Sequence, residues 1–252
     1  MQHKKIVFLA SDCESSRWVY NALIRDFMIE AAIIENPVSK KKLIKGRLKK
    51  IGLLQVIGQI IFSAFVVPLL KIKAKRRRSC LINEYQLNDT NFRALNTHYV
   101  DAVNDEACKI LLQQLQPDII IVNGTRIISK KILQSSKAVF INMHVGITPA
   151  YRGSHGGYWA LYNKDSENFG TTIHVVDEGV DTGAVLKQVF IKPGNNDNFT
   201  TYPILQVAIG IQALKEVLQD ALKESYHTAV LAAKGKMYHQ PTIWQYLFNS
   251  TK

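Results

Sequence analysis

Cysteine is scarce in this chain of 252 residues. It stands at positions 13, 80 and 108 only, at no spacing that suits a metal centre and in an odd number that leaves no complete disulfide framework. A reducing compartment is therefore expected. A leader-like apolar run is also lacking, because Ile6 to Ala10 is cut short by Ser11 and Asp12, too soon for the core of a secretory signal. Acidic residues are missing between Asn36 and Asn83, a stretch that holds thirteen lysines and arginines. The net charge of +12 thus sits in one segment, since the other nineteen basic residues meet twenty acidic ones. This argues against a body that binds nucleic acid and confines any attraction to polyanions to that segment. The rest is ordinary: 47% hydrophobic and 21% charged residues, enough for one large core and unlike disordered or fibrous chains.

What is present alternates. Ile6 to Ala10 reads as a buried parallel strand, followed by a helix over residues 15–28 with Val19, Leu23 and Phe27 at helical spacing, and a second strand over 31–34. Residues 105–116 carry Ala107, Ile110, Leu111 and Leu115 on one helical face, and Pro117 closes that helix before a strand over 118–122. A short helix capped by Ser129, a strand over 138–142, a helix near 158–163, strands over 170–176 and 184–191 and a long helix over 201–223 complete the pattern. The fold class expected is α/β, a doubly wound, mainly parallel sheet without internal repeats. The tail from Lys236 to Phe248 is aromatic, and packing is the expected role of Trp244 and Tyr246, with stacking on a base the lesser one.

Asn142 and His144 lie two apart at the end of a buried strand, so their side chains share one side and emerge at the C-terminal edge, where open α/β sheets place their sites. Asp177-Glu-Gly-Val-Asp181-Thr-Gly183 is an acidic loop between two strands, able to bring a carboxylate to that edge. On spacing alone, a strand-end cap and a plain turn explain these residues equally well. His174 falls within a strand and is expected to be structural, Cys13 to be inert, and His155 in its glycine loop is divided between substrate contact and a turn hydrogen bond.

Taken together, Asn142-Met-His144-Val-Gly-Ile-Thr-Pro149-Ala-Tyr151-Arg152-Gly153 and Asp177-Glu-Gly-Val-Asp181-Thr-Gly183 resemble the folate-dependent formyltransferases. That family includes the glycinamide ribonucleotide, methionyl-tRNA and nucleotide-sugar enzymes. The resemblance implies a Rossmann-like α/β domain over residues 1–200, interrupted by a basic helical insert at 36–83, with a C-terminal helix and tail at 201–252. It implies transfer of a formyl group from 10-formyltetrahydrofolate to a primary amine, with no metal. By similarity, Asn142 binds the formyl oxygen and orients the amine, His144 meets the oxyanion or takes the proton, and Asp181 sets the charge of His144 or shuttles protons. Backbone groups of Arg126 and Ile128 would read the pterin edge, Ile127 and Ile128 would cover its faces, and Asp177, Gly179 and Val180 would close the far side. Tyr151, Arg152 and His155 are the substrate-binding candidates.

The departures from the family select among acceptors. Its purine member cradles a phosphate in a glycine-rich loop after the first strand, whereas here that loop reads Ser11-Asp-Cys-Glu-Ser-Ser16, with two carboxylates expected to repel phosphate. The methionyl-tRNA member carries a C-terminal β-domain, which the residues after Gly183 are not expected to form. A small amine is expected instead, on a nucleotide-linked amino-deoxy sugar for surface polysaccharide such as lipopolysaccharide. A lipid-linked or other small amine, methionyl-tRNA, and a non-catalytic protein on the same fold are the alternatives. Monomer and homodimer stay open.

Residues 51–70 carry no charge and are long enough to span a bilayer. Against a span stand the polar Gln55, Gln59 and Ser63, the basic flanks on both sides, and the separation it would force on the two halves of the site. An interfacial helix or a hairpin packed on the domain is expected, with Ile44, Leu48 and Ile51 on one face of a lysine-rich helix. An anionic membrane surface contacting residues 40–78 and simple packing with solvated lysines are equally weighted. An RNA clamp at Arg76 to Arg78 is least favoured, for want of interleaved aromatics, and no nucleic acid is expected. The expected location is cytoplasmic, peripheral at the inner membrane face.

Overall fold

The computed structural model describes residues 4–92, 96–229 and 235–248. The apolar run at the start forms β1 (Ile6–Ser11), buried on both faces and hence central in a sheet. Helix α1 (Glu14–Leu23) ends earlier than its periodicity suggests, because the N–H groups of Asp26 and Phe27 both turn back to the Leu23 carbonyl. Next come β2 (Ile29–Glu35) and a run of helices: α2 (Lys40–Ile51), α3 (Leu53–Ile61), a π turn (Phe62–Val66), α4 (Val67–Lys73) and α5 (Lys75–Glu84). Gly52, with φ of 82°, makes the bend between α2 and α3 that a side chain would strain. The chain continues through β3 (Thr97–Val100), α6 (Glu106–Leu115), β4 (Ile119–Asn123), α7 (Lys130–Leu133) and β5 (Val139–His144). After these come β6 (Arg152–Gly153), α8 (Gly156–Tyr162), β7 (Gly170–Val175), β8 (Val185–Phe190), α9 (Tyr202–Leu222), β9 (Met237–Tyr238) and α10 (Ile243–Leu247).

Seven strands form one sheet in the order β3-β2-β1-β4-β5-β7-β8, the first five parallel, β7 antiparallel to β5 and β8 antiparallel to β7. Alternate residues of each strand feed two cores. Phe8, Ile34, Ile121 and Ile141 pack under α1 and α9 with Trp18, Leu23, Leu214 and Leu218. Leu9, Ile33, Ile120 and Val122 pack on the other side with Cys108, Leu112 and Ile132 of α6 and α7. Helix α9 thus belongs to the same core as the strands. Of the C-terminal stretch 201–252, residues 230–234 and 249–252 lie outside the described residues. Strand β3 was not foreseen: four residues with one buried side chain are too short to show a period.

A third core is aromatic and holds the helical insert to the body. Phe62 is fully buried, edge-on to Phe199 at 4.9 Å and 5.2 Å from Tyr246, with Tyr158 and Trp159 beside them. A Cβ at Gly58 would collide with the Trp244 indole, so the helix and the tail touch backbone to ring. Trp244 and Tyr246 are therefore packing residues. At the far end Arg77 forms a two-pronged pair with Asp197 at 2.9 and 3.0 Å, the Asp197 side chain being wholly buried, while Arg78 pairs with Glu14 and lies over Trp18. Two of the three consecutive arginines are therefore engaged within the fold, and Arg76 is exposed. Truncation of Phe62 tests whether the insert is integral. Phe62→Ala should lower the unfolding free energy in urea by about 3 kcal/mol; a loss below about 0.5 kcal/mol would mean that the insert unfolds apart from the sheet.

Candidate active site

A cavity of about 410 Å³ opens at the C-terminal edge of β4 and β5, next to the point where the strand order reverses. Its floor is polar. Asn142 and His144 share a face of β5, and antiparallel pairing sets His174 of β7 directly opposite Asn142. The Asn142 amide nitrogen lies 3.1 Å from His174 Nε2, and His174 Nδ1 lies 2.8 Å from the Val175 carbonyl. Nδ1 donates to that carbonyl, so Nε2 accepts from the amide and leaves Asn142 its second N–H. His144 is 6% exposed and donates through Nε2 to the Tyr151 carbonyl at 2.8 Å. Its Nδ1 then faces one Asp181 oxygen at 3.5 Å, while the other oxygen is 3.6 Å from His174 Nε2.

Asp181 reaches this floor from the β7–β8 loop with a left-handed backbone, φ 50°, and the Gly153 N–H donates to it at 2.8 Å. Asp177 shapes the loop, accepting from the Gly179 N–H at 3.0 Å and the Thr182 hydroxyl at 2.7 Å. Glycine is required at 183, where a Cβ would collide with the Val175 carbonyl. Burial alone would raise the Asp181 carboxyl, but His174, His144 and the Gly153 N–H outweigh it and hold it at about 2. For His144 burial wins, and the ring stays below its ordinary value of 6.5 despite Asp181 and the Tyr151 carbonyl. At neutral pH the floor therefore holds a neutral imidazole beside the anion that would stabilise its conjugate acid.

The side wall is the loop after β4. Ile127, 55% exposed, and buried Ile128 both line the cavity, together with Asn123, Arg126, Asp177, Gly179 and Val180. Arg126 is anchored inward. Its N–H donates to Glu35 Oε1 at 2.7 Å, and its guanidinium donates to the carbonyls of Asp101 and Asn36 at 2.9 and 2.7 Å. The expectation that the Arg126 backbone reads a ligand edge is thus corrected for its N–H, which Glu35 occupies. Glu35 also accepts from the Val103 N–H at 3.1 Å, so one buried carboxylate sets two loops. The sequence did carry a signal for it, an acidic residue closing the apolar run Ala31-Ala-Ile-Ile34.

The three substrate-binding candidates fall elsewhere. Tyr151 is buried, donates its hydroxyl to Asp165 at 2.7 Å and stacks on Tyr238. Arg152 donates to the carbonyls of Gly235 and Val180, the latter at 3.3 Å, and so clamps the Asp181 loop. His155 caps α8 against Phe199, 4.6 Å between rings, and is pushed down to about 4 by burial and by Arg47. None of the three lines the cavity. His174, expected to be structural, joins the floor instead. In the β1 loop, Asp12 pairs with Arg17 and Glu14 with Arg78, so the two carboxylates expected to repel phosphate are neutralised. Cys13, read as inert, is held below 9.0: burial raises it, but the hydroxyls of Ser15, Ser16 and Ser11 outweigh that.

The family model described as Formyl transferase matches residues 71–202, from the end of α4 to the start of α9. A methionyl-tRNA formyltransferase of Chlorobium chlorochromatii is 29% identical over 135 residues, which are 54% of this chain and 43% of that protein. The chain spans under half the length of the first such relatives. Among solved structures, the N-formyltransferase of Helicobacter canadensis, in complex with folinic acid and dTDP-3-aminofucose, superposes with a TM-score of 0.58 at 14% identity over 92% of this chain and 70% of that one. The phosphoribosylglycinamide formyltransferase of Streptococcus pneumoniae gives 0.55 at 20% identity over 86% and 98%. At these identities the likeness is one of fold.

The electrostatics of the floor can be measured directly. His144 should titrate below 6.5 in nitrogen-15 NMR, and Asp181→Asn should move it lower still, because the carboxylate is what raises it. A His144 that titrates at or above 6.5, or that rises in the variant, contradicts the geometry. The depressed carboxyl contributes stability that is present above 3.8 and lost as pH falls toward 2.

Proposed function

Because the chain belongs to the formyl transferase family, we propose that it moves a formyl group from 10-formyltetrahydrofolate to a primary amine on the floor formed by Asn142, His144, His174 and Asp181. The observation that carries this reading is the meeting of an amide donor, a neutral imidazole and an ionised carboxylate at the base of one cavity. Its walls suit the donor: Val122, Ile127, Ile128 and Val180 offer apolar faces, and Asn123 and Asp177 offer polar edges, as a flat heterocycle requires. On this reading the Arg126 carbonyl and the Ile128 backbone meet the polar edge of the ring, with Gly179 in the far wall. The bound donor supplies a formyl carbon open to attack.

The chain's own groups then act in turn. Asn142 has one N–H beyond that given to His174, and it donates to the formyl oxygen as negative charge grows there. His174 holds the amide in that orientation. Nδ1 of His144 takes the proton that the attacking amine loses and returns it to the folate nitrogen as the bond from that nitrogen to the formyl carbon breaks, and the interim charge is met by Asp181 at 3.5 Å and the Tyr151 carbonyl at 2.8 Å. Arg152 and Asp177 keep the Asp181 loop in place.

The acceptor we favour is a nucleotide-linked amino-deoxy sugar used in surface polysaccharide synthesis, made in the cytoplasm. Its support is the fold shared with sugar N-formyltransferases. A methionyl-tRNA amine is the second reading, favoured by the sequence relatives. The catalytic domain on this view is residues 1–200, interrupted at 36–83, to whose core the C-terminal part contributes α9.

The assay mixes the protein with 10-formyltetrahydrofolate and either a panel of nucleotide amino sugars or methionyl-tRNA, following tetrahydrofolate release and the mass of the acceptor. Turnover on a sugar is expected, and turnover on the tRNA alone would replace the acceptor. Asn142→Ala, His144→Ala and Asp181→Ala should each cost on the order of 100-fold or more in rate with an unchanged circular dichroism spectrum. A variant that keeps the wild-type rate removes that residue from the mechanism.

A further inference from the structure

We propose that the outer face of the helical insert, α2 to α4, docks on an anionic phospholipid surface. One flank of the long helix is held to the body, and its outward flank is apolar where an ordinary surface helix is polar. Gln59 is buried and donates to the Gln240 carbonyl at 2.8 Å, and the Ser63 hydroxyl accepts from the Gln240 amide at 2.6 Å. Val56 and Phe62 are buried on the same flank. The side left outward is apolar: Leu53, Leu54, Phe65, Leu69 and Ile72 are between 63% and 74% exposed. Such a continuous apolar surface on a helix implies an occupant.

Charge selects the occupant. Lys41, Lys42, Lys45, Lys49 and Lys50 of α2 are exposed, as are Lys71, Lys73, Lys75 and Arg76 at the other end, with no acidic residue from 36 to 83. A second copy seated on this face would set lysines against lysines. An anionic phospholipid surface meets the apolar face and its basic rim together. The helix Leu53–Lys73 is long and apolar enough to cross a bilayer, with 22% of its most apolar stretch buried. Its inward side is nevertheless held by the tail and by the aromatic core, and Arg77 and Arg78 tie the next helix to Asp197 and Glu14. The helix therefore lies along the surface, with the fold intact. This proposal is independent of the catalytic one.

The test sediments the full chain with vesicles of phosphatidylcholine, alone or mixed with phosphatidylglycerol. Binding to the mixed vesicles is expected, weaker by about ten-fold without the anionic lipid and falling with added salt. Leu54→Glu combined with Leu69→Glu changes two exposed positions and should cut binding by about ten-fold or more while leaving the thermal unfolding midpoint in place. No binding by the wild type overturns the proposal. Binding that the double variant retains in full also overturns it, by reducing the attraction to charge alone. A dimer in analytical ultracentrifugation that the double variant dissolves, without vesicle binding, assigns the face to a second copy and overturns it likewise.

Discussion

A carboxylate withdrawn from water needs polar partners, and Asp181 organises its neighbourhood on that condition. Its oxygens draw together His144 at the end of β5, His174 on β7 and the Gly153 N–H of β6. Gly153 pairs in turn with Tyr238 of β9, and the tail that carries β9 supplies the Gln240 and Trp244 contacts on which the insert rests. One buried charge is thus linked, through short strands and a few hydrogen bonds, to a surface made by a distant part of the chain.

The same logic runs through the charged residues elsewhere. Glu35 and Asp197 are buried carboxylates, and each is met by an arginine: Arg126 for the first, Arg77 for the second. Each pair joins segments far apart in sequence, so its geometry decides where loops lie. The basic excess of the insert therefore divides. Arg77 and Arg78 serve the fold, and the lysines stay outside it.

The strands were legible where they were apolar and long. Ile6 to Ala10, residues 118–122 and residues 138–142 overlap observed strands, the last two offset by one residue at their start, because burial on both faces leaves a nearly unbroken apolar run. Strand β3 and the two-residue strands β6 and β9 were invisible, since their pairing partners rather than their composition make them strands. The helix over 201–223 was read almost to its ends, but nothing in its own pattern said that it closes the core over β1 and β5. Tyr151 and Arg152 lie within a recognisable motif, and the structure spends both on holding loops.

The sequence by itself determined that Asn142 and His144 share one side of a strand, because alternation along a strand is local geometry. It also determined that the positive charge is confined to one segment, because composition needs no fold. Only the tertiary structure decided that His174 stands opposite Asn142, that His144 presents Nδ1 to Asp181, and that Gln59 of the long apolar helix is turned inward onto the tail. Those outcomes depend on strand register and on which groups a distant loop brings within hydrogen-bonding range, and register is settled by the whole sheet rather than by any one stretch of it.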